Sequence, residues 1–347
     1  MKNTYQLPAE WAKQDAVMLT WPHQATDWDW ILTDVEPVFV DITLAITQYQ
    51  PVLIVCHDDP VKQHVKQLLQ KANASQDKII YVIAPTNDTW ARDHGPITVK
   101  NNKKQTLAYD FNFNGWGNKF ESTLDNQINT HVFNQCDVAQ TENVNMVLEG
   151  GAIEIDEQGH LLTTKACLLN KNRNPTLSQE NIENILTEKL GAKKILWVNA
   201  GALEGDDTDS HIDTLARFAP EQIIVFQGCQ DETDPHFAEI DAMKRSLESF
   251  TTLKNEPFIL FELPWPDAQF SAEGDRLPAT YANFLIINGA VLMPTYGVPQ
   301  DRKAQIVLHM AFPEYEIIPI NCRQIIEQYG SLHCLTMQLP LGFLPKT

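Results

Sequence analysis

The chain has 347 residues, 43% of them hydrophobic, and a formal net charge of −19 at pH 7. That is apolar material for a substantial core, and the acidic balance excludes the basic face that nucleic-acid binding needs. No run reaches the ~18 apolar residues of a membrane span, and Met1 to Ala16 mixes Lys2, Glu10, Lys13 and Asp15 with polar side chains where an export signal would be apolar.

A cytoplasmic protein with neither a nucleic-acid nor a membrane partner is expected. The six cysteines (Cys56, Cys136, Cys167, Cys229, Cys322, Cys334) form no close pairs, as expected of free thiols in a reducing compartment. Nothing in the sequence calls for a cofactor or a metal.

In chain order, a unit of strand, turn, strand, helix and strand recurs. Two early copies are blurred, one within Ala16 to Cys56 and one from Ile79 to about Val138. The third is clear: runs at Gly151 to Asp156 and Leu161 to Leu169, a turn at Glu157-Gln158-Gly159, then a helix capped by Ser178. Its buried stripe is Ile182, Ile185, Leu186 and Leu190, Gly191 stops it, and Ile195 to Val198 closes the unit. The fourth comprises Asp213 to Ala219, Ile223 to Gln227, a helix opening near Pro235 with Phe237, Ile240, Met243 and Leu247 buried, and Phe258 to Leu263. The fifth comprises Asn283 to Ile287, Ala290 to Pro294, a helix from about Asp301 and Glu316 to Ile320. Units of roughly 65 to 70 residues predict an α/β array or propeller, with a strand around Cys334 in a closing unit.

Four stretches carry chemistry beyond packing. Trp90, Arg92 and Asp93 stand together before a Gly95-Pro96 turn, so that Asp93 could hold a guanidinium and Trp90 stack on one; ordinary ion pairing and core packing are the alternative. Leu148-Glu149-Gly150-Gly151 sets a carboxylate before two glycines, suiting either a close backbone approach or a bulge. His211 and Asp213, two apart in a predicted strand, would share a face; a solvated loop is the alternative. Asp206, Asp207 and Asp209 beside them have donor types that a divalent ion accepts, without a known loop spacing. Cys334 is the best candidate nucleophile against the alternative of a small buried hydrophobe. His333 is not expected to be its base, because neighbours in a strand point to opposite faces.

Motifs in order along nearly the whole chain closely resemble the agmatine deiminase family, relatives of secreted bacterial peptidyl-arginine deiminases. They are Leu7-Pro8-Ala9-Glu10-Trp11 with Thr20-Trp21-Pro22-His23, Trp90 to Pro96, Phe113-Asn114-Gly115-Trp116-Gly117 and Leu148 to Gly151. Asn172-Arg173-Asn174-Pro175, Thr208 to Asp213, Tyr281-Ala282-Asn283-Phe284 and His333-Cys334-Leu335-Thr336 follow. The resemblance implies one catalytic domain over 1–347, a five-bladed α/β propeller (pentein) of pseudo-symmetric ββαβ units around a central active site. It also implies Cys334 as nucleophile, His211 as general acid and base, Asp93 and Asp213 as the carboxylates that hold the guanidinium, and Glu149 as a support beside the histidine.

The expected reaction is hydrolysis of agmatine to N-carbamoylputrescine and ammonia through an S-alkylthiouronium on Cys334. A deiminase of peptidyl-arginine or another guanidino compound is the alternative, followed by a metal-dependent hydrolase using the 206 to 213 acids. The partner is then a cationic small molecule, bound at its far end by Trp90 and Asp207; self-association is left open. Two departures stand out. The family's Gly-Gly-Gly-Asn run is replaced by Gln328-Tyr329-Gly330-Ser331, where Tyr329 and Ser331 are expected to reshape the mouth of the site. Gly115 stands where the family shows Ala, which reads as a small change.

Overall fold

The computed structural model describes residues 4–345, so the first three residues of the N-terminal stretch and the last two of the 1–347 domain lie outside the described residues. No helix among the described residues is long and apolar enough to cross a membrane.

Five sheets of three or four strands and one two-stranded ribbon are present among these residues. The five share one plan: an antiparallel pair, then a helical crossover to a strand that pairs in parallel. In the 216–263 region Ala216–Ala219 runs antiparallel to Ile223–Gln227, and Ile259–Leu263 joins in parallel after the helix Phe237–Glu248. The same order holds for Ile153–Ile155, His160–Thr164 and Lys194–Val198, and for Leu285–Ile287, Ala290–Thr295 and Glu316–Asn321. Strands such as Val52–Cys56 and Ile223–Gln227 are buried at every position because both faces are covered, which is why they read as unbroken apolar runs. Helix signals also hold: Ser178 forms a reciprocal capping box with Asn181, and Gly191 ends Gln179–Leu190 at φ 69.

The blurred units resolve differently from their expected bounds. Ile79–Ile83 is the outer strand of the first sheet, whose order is Thr336–Pro340, Gln14–Thr20, Val52–Cys56, Ile79–Ile83. An added crossover, the helix Asp59–Lys71 with its Asp58 cap, puts it there. The next unit therefore spans Ile97–Asn101, Thr106–Asn112 and Thr141–Val147. The last strand pairs with the first long one, Thr336 opposite Leu19, so the chain ends meet in one sheet.

Three expected strands are shortened by turns that carry function. His160–Thr164 stops where the Thr164 hydroxyl accepts from Cys167 N and donates to Ser210 O, starting the helical turn Lys165–Leu168. Asp213 lies in the 3₁₀ turn Ile212–Thr214, not in a strand, and Cys334 lies in another, His333–Leu335. His211 and Asp213 thus meet through a tight turn and not through the period of a strand.

A short turn or loop precedes the first strand of each sheet. Ala91–His94 leads into Ile97–Asn101, Gly150–Ala152 into Ile153–Ile155, Ile212–Thr214 into Ala216–Ala219 and His333–Leu335 into Thr336–Pro340. The segment 280–283 leads into Leu285–Ile287. Hydrogen bonds join them: Gly151 N donates to Asp93 Oδ1 at 3.0 Å, and Asn283 Nδ2 reaches Asp213 O and Cys334 Sγ, each at 3.3 Å.

Arg217 sits behind these turns with no exposed surface. It pairs with Glu154, approaches Glu10 Oε2 at 3.0 Å, donates to Phe284 O and lies 4.8 Å from the Phe284 ring centre. Arg217→Met would strand two buried carboxylates, so unfolding free energy should fall by about 3–5 kcal/mol in chemical denaturation. A change within the scatter of surface substitutions would show that Arg217 does not organise the interior.

Candidate active site

Cys334 and Asp93 are each 4% exposed and both line one cleft of about 580 Å³. Asp213 is fully buried directly behind the thiol, its Oδ2 at 3.8 Å from Sγ. Trp116 Nε1 donates to Asp93 Oδ2 at 2.9 Å, complementing the Gly151 N–H on Oδ1. Asp213 Oδ1 is buried and has no hydrogen-bond partner among the described residues.

Gly151 answers the question its sequence raised. A Cβ there would lie 2.6 Å from His211 Nδ1, 2.9 Å from Asp93 Oδ1 and 3.1 Å from Asp213 Oδ2. The missing side chain lets an imidazole and two carboxylates converge, with the two carboxylate oxygens within about 6 Å of each other. Gly150 serves the same packing, since its Cβ would strike Arg92 O at 2.2 Å.

Burial sets the electrostatics. It pushes Asp93 up to about 7, with Glu149 adding to the shift, and pushes Asp213 well above the carboxylate range, with Asp93 adding. The Cys334 thiol is raised well above its ordinary range by burial, then by Asp213 and Asp93. His211 is held well below the imidazole range by burial and by Arg173, so it is neutral. Both its ring nitrogens lack hydrogen-bond partners among the described residues, and Nδ1 lies 3.6 Å from Asp93 Oδ1.

Glu149 and His211 are fully buried and do not line the cleft. Arg173 Nε donates to both Glu149 oxygens at 2.8 and 3.0 Å, while Nη1 pairs with Asp209 at 2.6 Å. Glu149, His211 and Cys167 form one cluster whose donor atoms lie within 4.8 Å of one another. Arg173 already supplies the positive charge there. Two of the three acids expected to suit a metal are spent locally, Asp206 on Thr208 and Ser210 N and Asp209 on Arg173, Lys119 and Asn172.

Trp90 and Asp207 both line the cleft. Trp90 Nε1 donates to Asp88 Oδ2 at 3.0 Å, and its ring lies where a Cβ on Gly330 would come within 2.2 Å. The half-buried Asp207 carboxylate makes no hydrogen bond among the described residues, although its carbonyl accepts from Lys119 Nζ. Asp27, Asp88 and Asp206 add further acid to the lining, which contains no lysine or arginine.

Tyr329 lines the mouth in the left-handed region at φ 65, its ring against Gly205. Ser331 does not line it: the side chain is buried, with Oγ 3.0 Å from Tyr296 Oη. Gly115 is also more than a small change. Gly115, Trp116, Gly117 and Asn118 all have positive φ, and a Cβ on Gly115 would meet Phe120 O at 2.2 Å. This left-handed turn aims the Trp116 indole at Asp93.

Sequence reasoning gave no role to Trp116, Asn283, Arg173, Cys167 or Glu10, and it set His333 aside. Trp116, Asn283, Arg173 and Glu10 stood inside quoted motifs, and their buried polar contacts are what they share. His333 is excluded as a base for Cys334 by geometry of another kind: its ring nitrogens each face a carboxylate oxygen at 2.7 Å.

The sequence profile of the Porphyromonas-type peptidyl-arginine deiminase family matches residues 6–340, and the chain belongs to that family. Agmatine deiminase of Ectopseudomonas mendocina (strain ymp) is 31% identical over 97% of this chain and 95% of its own length. Among solved structures, a Porphyromonas gingivalis protein provisionally named an arginine deiminase superposes with a TM-score of 0.91 at 43% identity, covering 99% of this chain and 100% of that one. A cysteine-to-serine form of C. jejuni agmatine deiminase with substrate bound superposes with a TM-score of 0.89 at 36% identity, over 97% and 96% of the two chains. The fold extends to an amidinotransferase from Microseira wollei, at 12% identity and a TM-score of 0.52.

Gly151→Ala should leave the fold intact by circular dichroism and lower kcat/KM by about 100-fold, because it pushes apart groups that must stand within an ångström of their places. Near-native activity in that variant would show that their spacing is not needed.

Proposed function

We propose that this chain is an agmatine deiminase, hydrolysing agmatine to N-carbamoylputrescine and ammonia through a covalent intermediate on Cys334. The observation that carries this reading is a cleft with a thiol and a carboxylate at its floor, acid along its walls and no cation in its lining. A dication suits such walls. The carboxylate of arginine would meet acidic side chains there, with the Lys119 ammonium, held by Asp209 and the Asp207 carbonyl, as the neighbouring cation.

In this reading Asp93 and Asp213 accept from the N–H donors of the planar guanidinium and fix its carbon against Sγ. Asp213 Oδ1, buried without a partner, is the acceptor left open for it. His211 takes the thiol proton, and the thiolate adds to the carbon. His211 then gives that proton to the departing ammonia, leaving an S-alkylthiouronium. In the second half His211 draws a proton from water, whose oxygen displaces the sulfur. Glu149, itself fixed by Arg173, supports the imidazole. The ammonium of agmatine, about four methylenes away, falls to Asp207 with Trp90 as a wall.

The five sheets, each offering its leading turn to one site, support a single catalytic domain built as a five-bladed propeller. The relatives' names and the substrate-bound neighbour support the choice of agmatine. The rival substrate is peptidyl-arginine, against which Tyr329 at the mouth counts.

Ammonia release from agmatine, arginine and a blocked arginyl peptide tests the choice. Turnover of agmatine alone, abolished in Cys334→Ala, is the expected outcome; turnover of the peptide in preference to agmatine overturns it. A second test concerns the thiol. Its raised range means that alkylation of Cys334 in the empty enzyme should increase with pH well beyond neutrality. An unreactive guanidinium compound, by adding positive charge, should move that rise to lower pH. An unmoved profile would contradict substrate-assisted thiolate formation.

A further inference from the structure

Neither ring nitrogen of His333 is free. Nδ1 lies 2.7 Å from Asp213 Oδ2 and Nε2 lies 2.7 Å from Glu10 Oε2, and all three side chains are buried. Two hydrogen bonds need two protons, of which a neutral imidazole supplies one. Without the other, a bare ring nitrogen would face a carboxylate lone pair at hydrogen-bond distance.

Glu10 is the poorest seat for that extra proton, because Arg217 Nη2 at 3.0 Å and Arg92 Nη2 at 3.5 Å flank the same oxygen. Asp213 is a better one. Among the described residues no arginine or lysine pairs with it, Arg92 acting only from further off, and the Asp93 carboxylate stands across Gly151. Burial acts in the same direction, raising Asp213 and lowering His333, with Arg217 adding to the latter.

We propose that His333 is a positioning residue that receives the Asp213 proton when the substrate's guanidinium binds, so that the anionic Asp213 is produced only with a cation in place. This rests on the guanidinium reading given above. In the empty site Asp213 Oδ2–H donates to Nδ1, and Nε2–H donates to Glu10. On binding, the Oδ2–H bond breaks and an Nδ1–H bond forms, giving carboxylate, imidazolium and carboxylate in a row with no proton lost to solvent.

When the neutral ureido product forms, the charge that drew the proton across is gone. The proton returns to Asp213 and the grip on the product weakens. The backbone that carries the ring is held by Asn283, whose Oδ1 accepts from His333 N at 2.9 Å and from Cys334 N at 3.3 Å. Arg92 is held in turn by Gln338, and Arg217 by Glu154, so the groups facing the ring are fixed on every side.

The test uses Cys334→Ala, isotopically labelled at its histidine nitrogens, with agmatine as the ligand. Nitrogen chemical shifts separate a neutral ring, with one bare nitrogen, from an imidazolium with none. The expected result is one ring, identified by its loss in Cys334→Ala/His333→Gln, that is neutral alone and becomes imidazolium at saturating agmatine. His333→Asn supplies the identification if the glutamine variant does not fold. A ring with the same protonation state with and without agmatine, whether neutral or cationic, overturns the proposal. No heat of binding and no shift in any signal would instead overturn the guanidinium reading, and this proposal with it.

Discussion

Two carboxylates withdrawn from water beside a thiol are the constraint on which the rest depends. Asp93 and Asp213 converge on the space that a Cβ of Gly151 would fill, and Cys334 stands next to them. Negative charge in so dry a place is costly, and burial shifts each of the three groups toward its protonated form. In the proposed reaction a planar cation would relieve all three groups at once, which would make the substrate's charge part of the catalytic apparatus.

The surrounding structure keeps that tension from collapsing. Donors are rationed: Asp93 receives one indole N–H and one backbone N–H, enough to orient it without ionising it fully. Full-strength cations stand one layer further out. Arg173 is tied to Glu149 and Asp209, and Arg217 and Arg92 are tied to Glu10 and Glu154. If an arginine reached Asp93 or Asp213 directly, it would take the place the substrate is meant to fill. Short turns ahead of the strands make this layering feasible, since each brings one or two side chains to the centre and leaves its sheet to carry the packing.

Much of this was legible in the sequence, for definable reasons. Continuous apolar strands, the Ser178 cap and the Gly191 stop are local signals, and they mark three of the repeated units in the observed order, with strand ends overrun at Leu161 to Leu169 and Asp213 to Ala219. The extra crossover through Asp59–Lys71 is regular helix with nothing local to mark it as an insertion, so the second unit was misplaced. That Cys334, His211, Asp93 and Glu149 lie near one another was readable because motifs held them together. Their conformation was not: 3₁₀ turns of three residues leave no periodicity, and a strand was assigned where a turn does the aiming. His333 shows the consequence, as its two carboxylate contacts span 120 and 323 residues of sequence and no local pattern could report them. Ser331 and Tyr329 looked alike as departures; only the fold separates a buried hydroxyl bonded to Tyr296 from a ring at the mouth.

If the substrate's charge completes the site, the protein must distinguish agmatine from N-carbamoylputrescine, which differs at the reacting carbon by an oxygen in place of a cationic nitrogen. The direct measurement is the dissociation constant of each for Cys334→Ala at neutral pH. The account predicts that agmatine binds at least about 100-fold more tightly, because only the cation can be met by two buried carboxylates. Equal affinities would contradict it, for they would mean that Asp93 and Asp213 recognise shape and leave the charge to be settled elsewhere.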